Sequence, residues 1–258
     1  MPADKTAAGS TRGAARRRIE AKRAAEAAAL AGAERRRRTV IGAVVAAVVV
    51  VIAIVVVIVA QSSRTATSAN AAVPAHTVDG GSTIVVGSSE APVTVDLYED
   101  FQCPNCKIFE DSTGATVSRL VADGTVQAHY HGMAFLDTNA NDDYSTRALN
   151  AAAAVVDAAG PNAFETFHQL LFASQPAEGG SGWSDDRLVE YARQAGATGG
   201  TVEQHIRDLT YGDWVARVTD QASKDGVTGT PTVLVAGERL ADLSANGLTT
   251  AVKAAQND

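Results

Sequence analysis

The 258-residue chain holds only two cysteines. That excludes a disulfide-knit scaffold, a full Cys₄ iron–sulfur site and an all-cysteine zinc ribbon. No internal repeat is visible, so a stacked or propeller architecture is not expected. Charge is missing altogether from one long stretch, Thr39 to Ala60, which also has no Asn or Gln and a single glycine, Gly42. What the chain does not lack is apolar content. With 46% apolar and 20% charged residues it is neither wholly disordered nor collagen-like.

The net charge of −7 hides a split. Residues 1–38 carry 11 Lys/Arg against 4 Asp/Glu, a local +7, while the rest carries 11 against 25, or −14. The 22 uncharged residues from Thr39 to Ala60 would form a helix about 33 Å long, enough to cross a hydrocarbon layer of about 30 Å. The competing reading is the apolar part of a cleaved signal peptide, but that part runs to about 7–15 residues behind a short basic start. The small-residue triplet Ala69-Asn70-Ala71 lies nine residues past the span. The expectation is therefore an uncleaved anchor in the lipid bilayer. Arg35 to Arg38 abut its N-terminal side and only Arg64 follows closely on the other, so the positive-inside rule puts the N-terminus in the cytoplasm and the remainder outside. A basic run beside a span is a topology signal, and no nucleic-acid partner is expected.

The expected organisation is thus a basic cytoplasmic tail (1–38), a transmembrane helix (39–60), a Ser/Thr/Ala-rich flexible linker (61–81) and a folded domain (82–258). That domain opens with strands at Thr83 to Val86 and Pro92 to Tyr98, the second with Val93, Val95 and Leu97 on one face. A helix starts at or just after Cys103, with Pro104 suited to its first turn. A strand follows at Thr125 to Met133. Helices are expected at Ser145 to Ala159, Ala163 to Ser174, Asp185 to Ala195 and Val202 to Lys224. A strand at Thr232 to Ala236 and a helix at Leu248 to Ala255 close the chain.

Both cysteines lie in Cys103-Pro104-Asn105-Cys106, where a strand gives way to a helix. A sulfur at a helix start sits near unpaired N–H groups and the positive end of the dipole, which favour thiolate. The second sulfur, one turn on, can reach the first, so Cys103 can attack a disulfide and Cys106 can resolve the mixed intermediate. Three other readings compete. A structural bridge enclosing two residues would add little stability. A zinc site would need His129 and His131, whose spacing is one residue instead of three to five. Two inert thiols are the third.

Asp100-Phe101-Gln102-Cys103-Pro104-Asn105-Cys106, with Gly229-Thr230-Pro231-Thr232 ahead of the last long strand, resembles the membrane-anchored DsbA-like thiol:disulfide oxidoreductases of actinobacteria. The likeness extends over most of residues 82–258, through His131 to Asp137, Tyr144 to Arg147, Ser174 to Gly180 and Tyr211 to Val215. It implies an α/β, thioredoxin-like fold with an inserted helical domain at about 140–223, preceded by the single transmembrane helix. It also implies a cis Thr230–Pro231 peptide beside the cysteines, offering main chain to an extended substrate. Catalytic roles fall to Cys103 and Cys106 with the dipeptide Pro104 and Asn105 between them. The expected partners are exported cysteine-containing proteins and a membrane reoxidising partner, quinone-linked by the resemblance. No metal or organic cofactor is expected, because the redox couple is the cysteine pair. The alternatives are a reductase or isomerase on the same fold, and a membrane-tethered binding module with a structural disulfide.

Two departures from the family pattern stand out. Leu97 occupies the position, six before the first cysteine, where relatives keep a buried acid, leaving Glu99 and Asp100 as possible proton-transfer acids. Ala154 and His205 stand where some members carry a second cysteine pair, so that bridge should be missing.

Overall fold

The computed structural model describes residues 71–257. The basic tail, the apolar span Thr39 to Ala60 and positions 61–70 of the tether lie outside the described residues. Among the described residues no helix is long and apolar enough to cross a membrane.

The elements run β1 (Thr77–Val78), a 3-10 turn (Asp79–Gly81), β2 (Thr83–Val86), β3 (Val93–Glu99), α1 (Pro104–Phe109), a π turn (Glu110–Gly114), α2 (Ala115–Ala122), β4 (Val126–Gly132), α3 (Tyr144–Ala173), α4 (Asp185–Gln194), α5 (Gly200–Arg207), α6 (Gly212–Lys224), β5 (Thr232–Val235), β6 (Glu238–Arg239) and α7 (Ala245–Ala255). They build one mixed sheet of order β1-β2-β4-β3-β5-β6. β3 and β4 are parallel, as a crossover through α1 and α2 requires, and the other neighbours are antiparallel. The four helices α3 to α6 lie between β4 and β5 in the chain, as the helical insert expected at about 140–223 requires.

Strand β3 runs through the middle. Its alternation is strict: Val93, Val95, Leu97 and Glu99 are buried, while Thr94, Asp96 and Tyr98 face the other side and are half-buried. The apolar face expected for this strand is there, and it carries one residue further, to a glutamate. On the opposite face Asp96 meets two histidines from β4, with His131 Nε2 at 3.0 Å and His129 Nδ1 at 3.6 Å. Burial disfavours that carboxylate, but the hydrogen bonds from His129 and His131 outweigh it and hold its pKa far below the usual range. Tyr98 stacks on His131 at 4.2 Å. These histidines therefore face a carboxylate on the opposite side of β3 from Glu99.

Two expectations need correction. The tether does not run to Gly81. Thr77 and Val78 pair with Ile84 and Thr83, Ala75 N donates to Asp157 Oδ1 at 2.8 Å, and the buried indole Nε1 of Trp214 donates to Gly81 O. A Ser- and Gly-rich composition concealed this, because the segment is held by backbone groups and by side chains from α3 and α6. Nor is Val202 to Lys224 one helix. It breaks after Arg207, with Leu209 at φ 49°. The cause is Asn150 on α3, fully buried, whose Nδ2 donates to His205 O at 3.1 Å and whose Oδ1 accepts Tyr211 N at 2.8 Å. One amide thereby serves a carbonyl ending α5 and an N–H opening α6. The two helices expected around Gly160-Pro161 follow one another directly as α3, and a kink at Gly160, with φ 79°, divides them just before Pro161. The sequence punctuation there marks a kink and not a loop.

The tie between Trp214 and Gly81 generates a prediction. Trp214→Phe keeps the ring in the core but orphans the Gly81 carbonyl, which should cost about 1–3 kcal/mol in urea unfolding. It should also expose residues 71–81 to limited proteolysis. A variant as resistant as the parent would show that this segment is held by other contacts.

Candidate active site

Asp100 N–H, Phe101 and Gln102 turn the chain from the end of β3 into α1, and Cys103 caps that helix with extended backbone (φ −75°, ψ 117°) while Pro104 fills its first turn. Cys103 and Cys106 are free thiols. Cys106 is completely buried, and Cys103 shows 6% of its surface. Pro104 and Asn105 are exposed between them. The Thr230–Pro231 peptide is cis, and the Thr230 carbonyl lies 3.4 Å from Cys103 Sγ. The structure thus brings together all six residues of the cysteine and proline motifs.

The two sulfurs are driven apart chemically. A hydrogen bond from the Cys106 thiol, joined by the Thr230 side chain and the N–H groups of Cys106 and Asn105, draws the Cys103 thiol down to about 5 against the opposing effect of burial. Cys106 moves far the other way: burial dominates, helped by its donation to Cys103 and by the carboxylate of Glu99, with only the Asp100 N–H opposing. At neutral pH the site is one thiolate and one thiol.

The two candidate acids separate. Asp100 is fully buried, and its oxygens are occupied: Oδ1 accepts Gln102 N at 2.8 Å and Ser145 Oγ at 2.6 Å, Oδ2 accepts Leu136 N at 3.1 Å. Burial raises it to about 6 and these bonds limit the rise. Its contact with Cys106 is through its backbone N–H, so the carboxylate braces the cysteine loop, the start of α3 and the loop after β4. Glu99 is different. Its Oε2 lies 2.9 Å from His168 Nε2 on α3, its Oε1 has no N–H or hydroxyl donor, and burial pushes it up to about 8. It is the acid whose charge acts on Cys106.

Several residues were missed. Gln102, also fully buried, accepts Asn141 Nδ2 at 2.6 Å and donates to Gly180 O at 2.8 Å, while Gln175 Nε2 donates to Cys103 O at 2.9 Å. Together they pin the 175–180 loop to the cysteine turn. Gln102 stood inside the quoted motif, but nothing local announced a partner about 78 residues away. Half-buried Glu110 and buried His168 complete a triad with Glu99, one oxygen or ring nitrogen of each lying within 4.8 Å of the others. Glu110 lies one helical turn after Cys106, a spacing that could have been read. His168 gave no such signal.

Two recesses flank Thr230. One, about 390 Å³, is lined by Cys103, Asn105, Phe135, Leu136 and Glu178, and the other, about 500 Å³, by Ile108, Phe109, Pro231 and Leu243. Ile108 is 65% exposed, an apolar side chain left at the mouth of the site.

The division between the sulfurs is testable in the reduced protein. Alkylation of Cys103 by iodoacetamide should rise between pH 4 and 6 and be flat by pH 7, following a thiolate with pKa about 5. Cys106 should stay unmodified up to pH 9. A single inflection near 8.5 would mean that the helix start does not perturb Cys103.

Residues 79–254 match the thioredoxin family. Among solved structures, a disulfide bond oxidoreductase (DsbG) of Mycobacterium tuberculosis in its reduced form is 37% identical with a TM-score of 0.62, covering 69% of this chain and 89% of that one. DsbA of the same organism, oxidised, is also 37% identical, with a TM-score of 0.60 over 68% of this chain and 93% of its own. The serine/threonine-protein kinase PknE of M. tuberculosis is 36% identical over 118 residues, 44% of this chain, and the chain spans about a fifth of that protein. The chain belongs to the thioredoxin family, and its 77–257 domain is a DsbA-like thiol:disulfide oxidoreductase.

Proposed function

We propose that this protein is a membrane-anchored oxidant of exported proteins, with Cys103 as nucleophile, Cys106 as resolving thiol and Thr230–Pro231 as the substrate platform. The observation that carries the reading is the unequal pair of sulfurs: a Cys103 held as thiolate near pH 5 stabilises the reduced form, and a stabilised reduced form makes the disulfide a stronger oxidant. A substrate thiolate attacks Cys103 of the Cys103–Cys106 disulfide, Cys106 leaves, and a second substrate thiolate displaces Cys103 as a good leaving group. The recesses on either side of Thr230 suit an extended segment that pairs with its main chain and lays apolar side chains by Phe135 and Ile108. The anchor and its orientation rest on the apolar span and on Arg35 to Arg38. A quinone-linked membrane partner would then return the dithiol to the disulfide. The redox couple is supplied by the two cysteines, with no metal or organic cofactor.

The direction of exchange is decided by the reduction potential, expected nearer −120 mV than −270 mV. The roles of the sulfurs are decided by trapping. Cys106→Ala, expressed in its own cell, should accumulate dithiothreitol-sensitive adducts with envelope proteins, and Cys103→Ala far fewer. A potential near −270 mV would make the protein a reductase, and an absence of adducts in both variants would leave a structural bridge on a tethered binding module.

Topology has its own measurement. Alkaline phosphatase fused after Asp258 should be active. A silent fusion, with a cytoplasmic reporter active in its place, would reverse the orientation.

A further inference from the structure

The two recesses beside Thr230 differ in charge. The one of about 500 Å³ is lined by neutral residues throughout, with Ile108, Phe109, Pro231 and Leu243 as its apolar wall. The one of about 390 Å³ has an apolar wall too, Phe135 and Leu136, but it also holds a carboxylate, Glu178. In the oxidised protein, where Cys103 is bonded to Cys106, that carboxylate is the only charge among the residues of either recess. A substrate crossing Thr230 therefore meets two chemically unequal sides.

The loop that carries Glu178 is held by other groups. Gln102 Nε2 donates to Ala177 O at 3.3 Å and to Gly180 O at 2.8 Å, and Arg147 Nη2 donates to Ser181 O at 2.7 Å. Gly180 N donates back to Ala177 O at 3.3 Å, and Gly179 takes φ 77°, the left-handed angle found at the third position of a type II turn. Glu178 thus stands second in a tight turn whose first and last carbonyls are both fixed to Gln102, a fully buried side chain of the cysteine turn. What sets Cys103 also sets this carboxylate. Glu178 is exposed, and its side chain enters no hydrogen bond or ion pair among the described residues. It contributes nothing to the loop that would explain its place, and its charge is free for a ligand. An apolar wall with one carboxylate matches a side chain that is apolar along its stem and cationic at its head, which is lysine or arginine. Arginine can in addition lay its guanidinium on the Phe135 ring. An acidic side chain in the same place would be repelled.

We propose that Glu178 is a specificity-determining residue, selecting segments that carry a lysine or arginine close to the reacting cysteine on the Gly229 side of the platform, with apolar side chains on the Ile108 side. The unequal recesses thereby fix the direction in which an extended segment crosses Thr230. The proposal rests on the reading of Thr230–Pro231 as the substrate platform, and it leaves the chemistry of exchange as it is. Two electrons pass from a pair of substrate thiols to the Cys103–Cys106 disulfide. Of the two protons released, one goes to the Cys106 sulfur and one to solvent, because Cys103 stays a thiolate.

The test mixes the oxidised full-length protein, in detergent, with reduced two-cysteine peptides, quenches with acid and reads the peptide disulfide by mass spectrometry. The peptides carry lysine, norleucine or glutamate at a single position, moved residue by residue along both sides of the cysteines. At low ionic strength the parent should oxidise the best lysine peptide about fivefold faster than its norleucine counterpart, and the glutamate peptide more slowly than either. In about 1 M salt, where the screening length falls to about 3 Å, these differences should close. Glu178→Gln should bring the three peptides within about twofold of one another, and Glu178→Lys should invert their order. A lysine also alters the thiols of its own peptide, so the deciding quantity is the change in the lysine-to-norleucine ratio between parent and variant. A ratio unchanged in Glu178→Gln would assign the preference to the overall negative charge of the domain, and equal rates for all peptides in the parent would remove it. Either result overturns the role of Glu178. The same preference on both sides of the cysteines would overturn the fixed direction. A parent that oxidises none of the peptides would instead sink the oxidoreductase reading, and the selection with it.

Discussion

The Cys106 thiol is sealed beneath the first turn of α1, while the Cys103 sulfur, capping the same turn, keeps a sliver of surface and gathers the hydrogen bonds. Two residues separate them, yet one is stabilised as an anion and the other as a neutral thiol. Desolvation penalises charge wherever it acts, so the outcome turns on which sulfur receives donors. Cys103 receives the thiol hydrogen of Cys106, the Thr230 side chain and two N–H groups. Cys106 receives one, from Asp100, and also faces a carboxylate. The pair is self-reinforcing: the hydrogen bond that lowers one sulfur raises the other.

That arrangement needs a rigid frame, and the frame is polar. Asp100 and Gln102, both without surface, bracket the turn between β3 and α1, and between them they hold the loop after β4, the start of α3 and the 175–180 loop. Fully satisfied buried polar groups fix geometry in a way that apolar packing alone does not, since each lost partner costs about 1–3 kcal/mol. The helical insert is thus tied into the turn that sets the Cys103 environment.

The sheet and the cysteine turn were legible in the sequence because their signals are local. Alternation in β3, a proline in the first turn of α1 and the Thr-Pro ahead of β5 each need only a few neighbouring residues to be read. Misreadings arose where a distant side chain decides the backbone. Asn150 breaks Val202 to Lys224 into two helices from about 56 residues away, and Trp214 recruits a stretch that composition alone marks as tether. The short β6 was missed for a related reason: two exposed residues, Glu238 and Arg239, are held in a strand by pairing with Leu234 and Val235, not by any pattern of their own. The site divides in the same way. Cys103, Cys106, Thr230 and Pro231 declare themselves, whereas Glu110 and His168 become functional candidates only when the fold sets them against Glu99.

Leu97 shows how a missing residue can mislead when it is read by position alone. Its side chain is buried on the same face of β3 as Glu99, two residues later on the strand. One pleat repeat, about 6.6 Å, is all that separates the place where an acid was sought from the place where one stands. Moving the acid toward the strand end sets it against His168 from the insert, whose Nε2 lies 2.9 Å from Glu99 Oε2, and near Glu110 from the π turn, while Leu97 packs in the apolar core and pairs with Tyr130 and Val233 across the sheet. The shift therefore changes the company the acid keeps. At the strand end it exchanges an apolar setting for a second carboxyl and an imidazole, and a lone buried acid, which would have to wait for a water, becomes one member of a connected group.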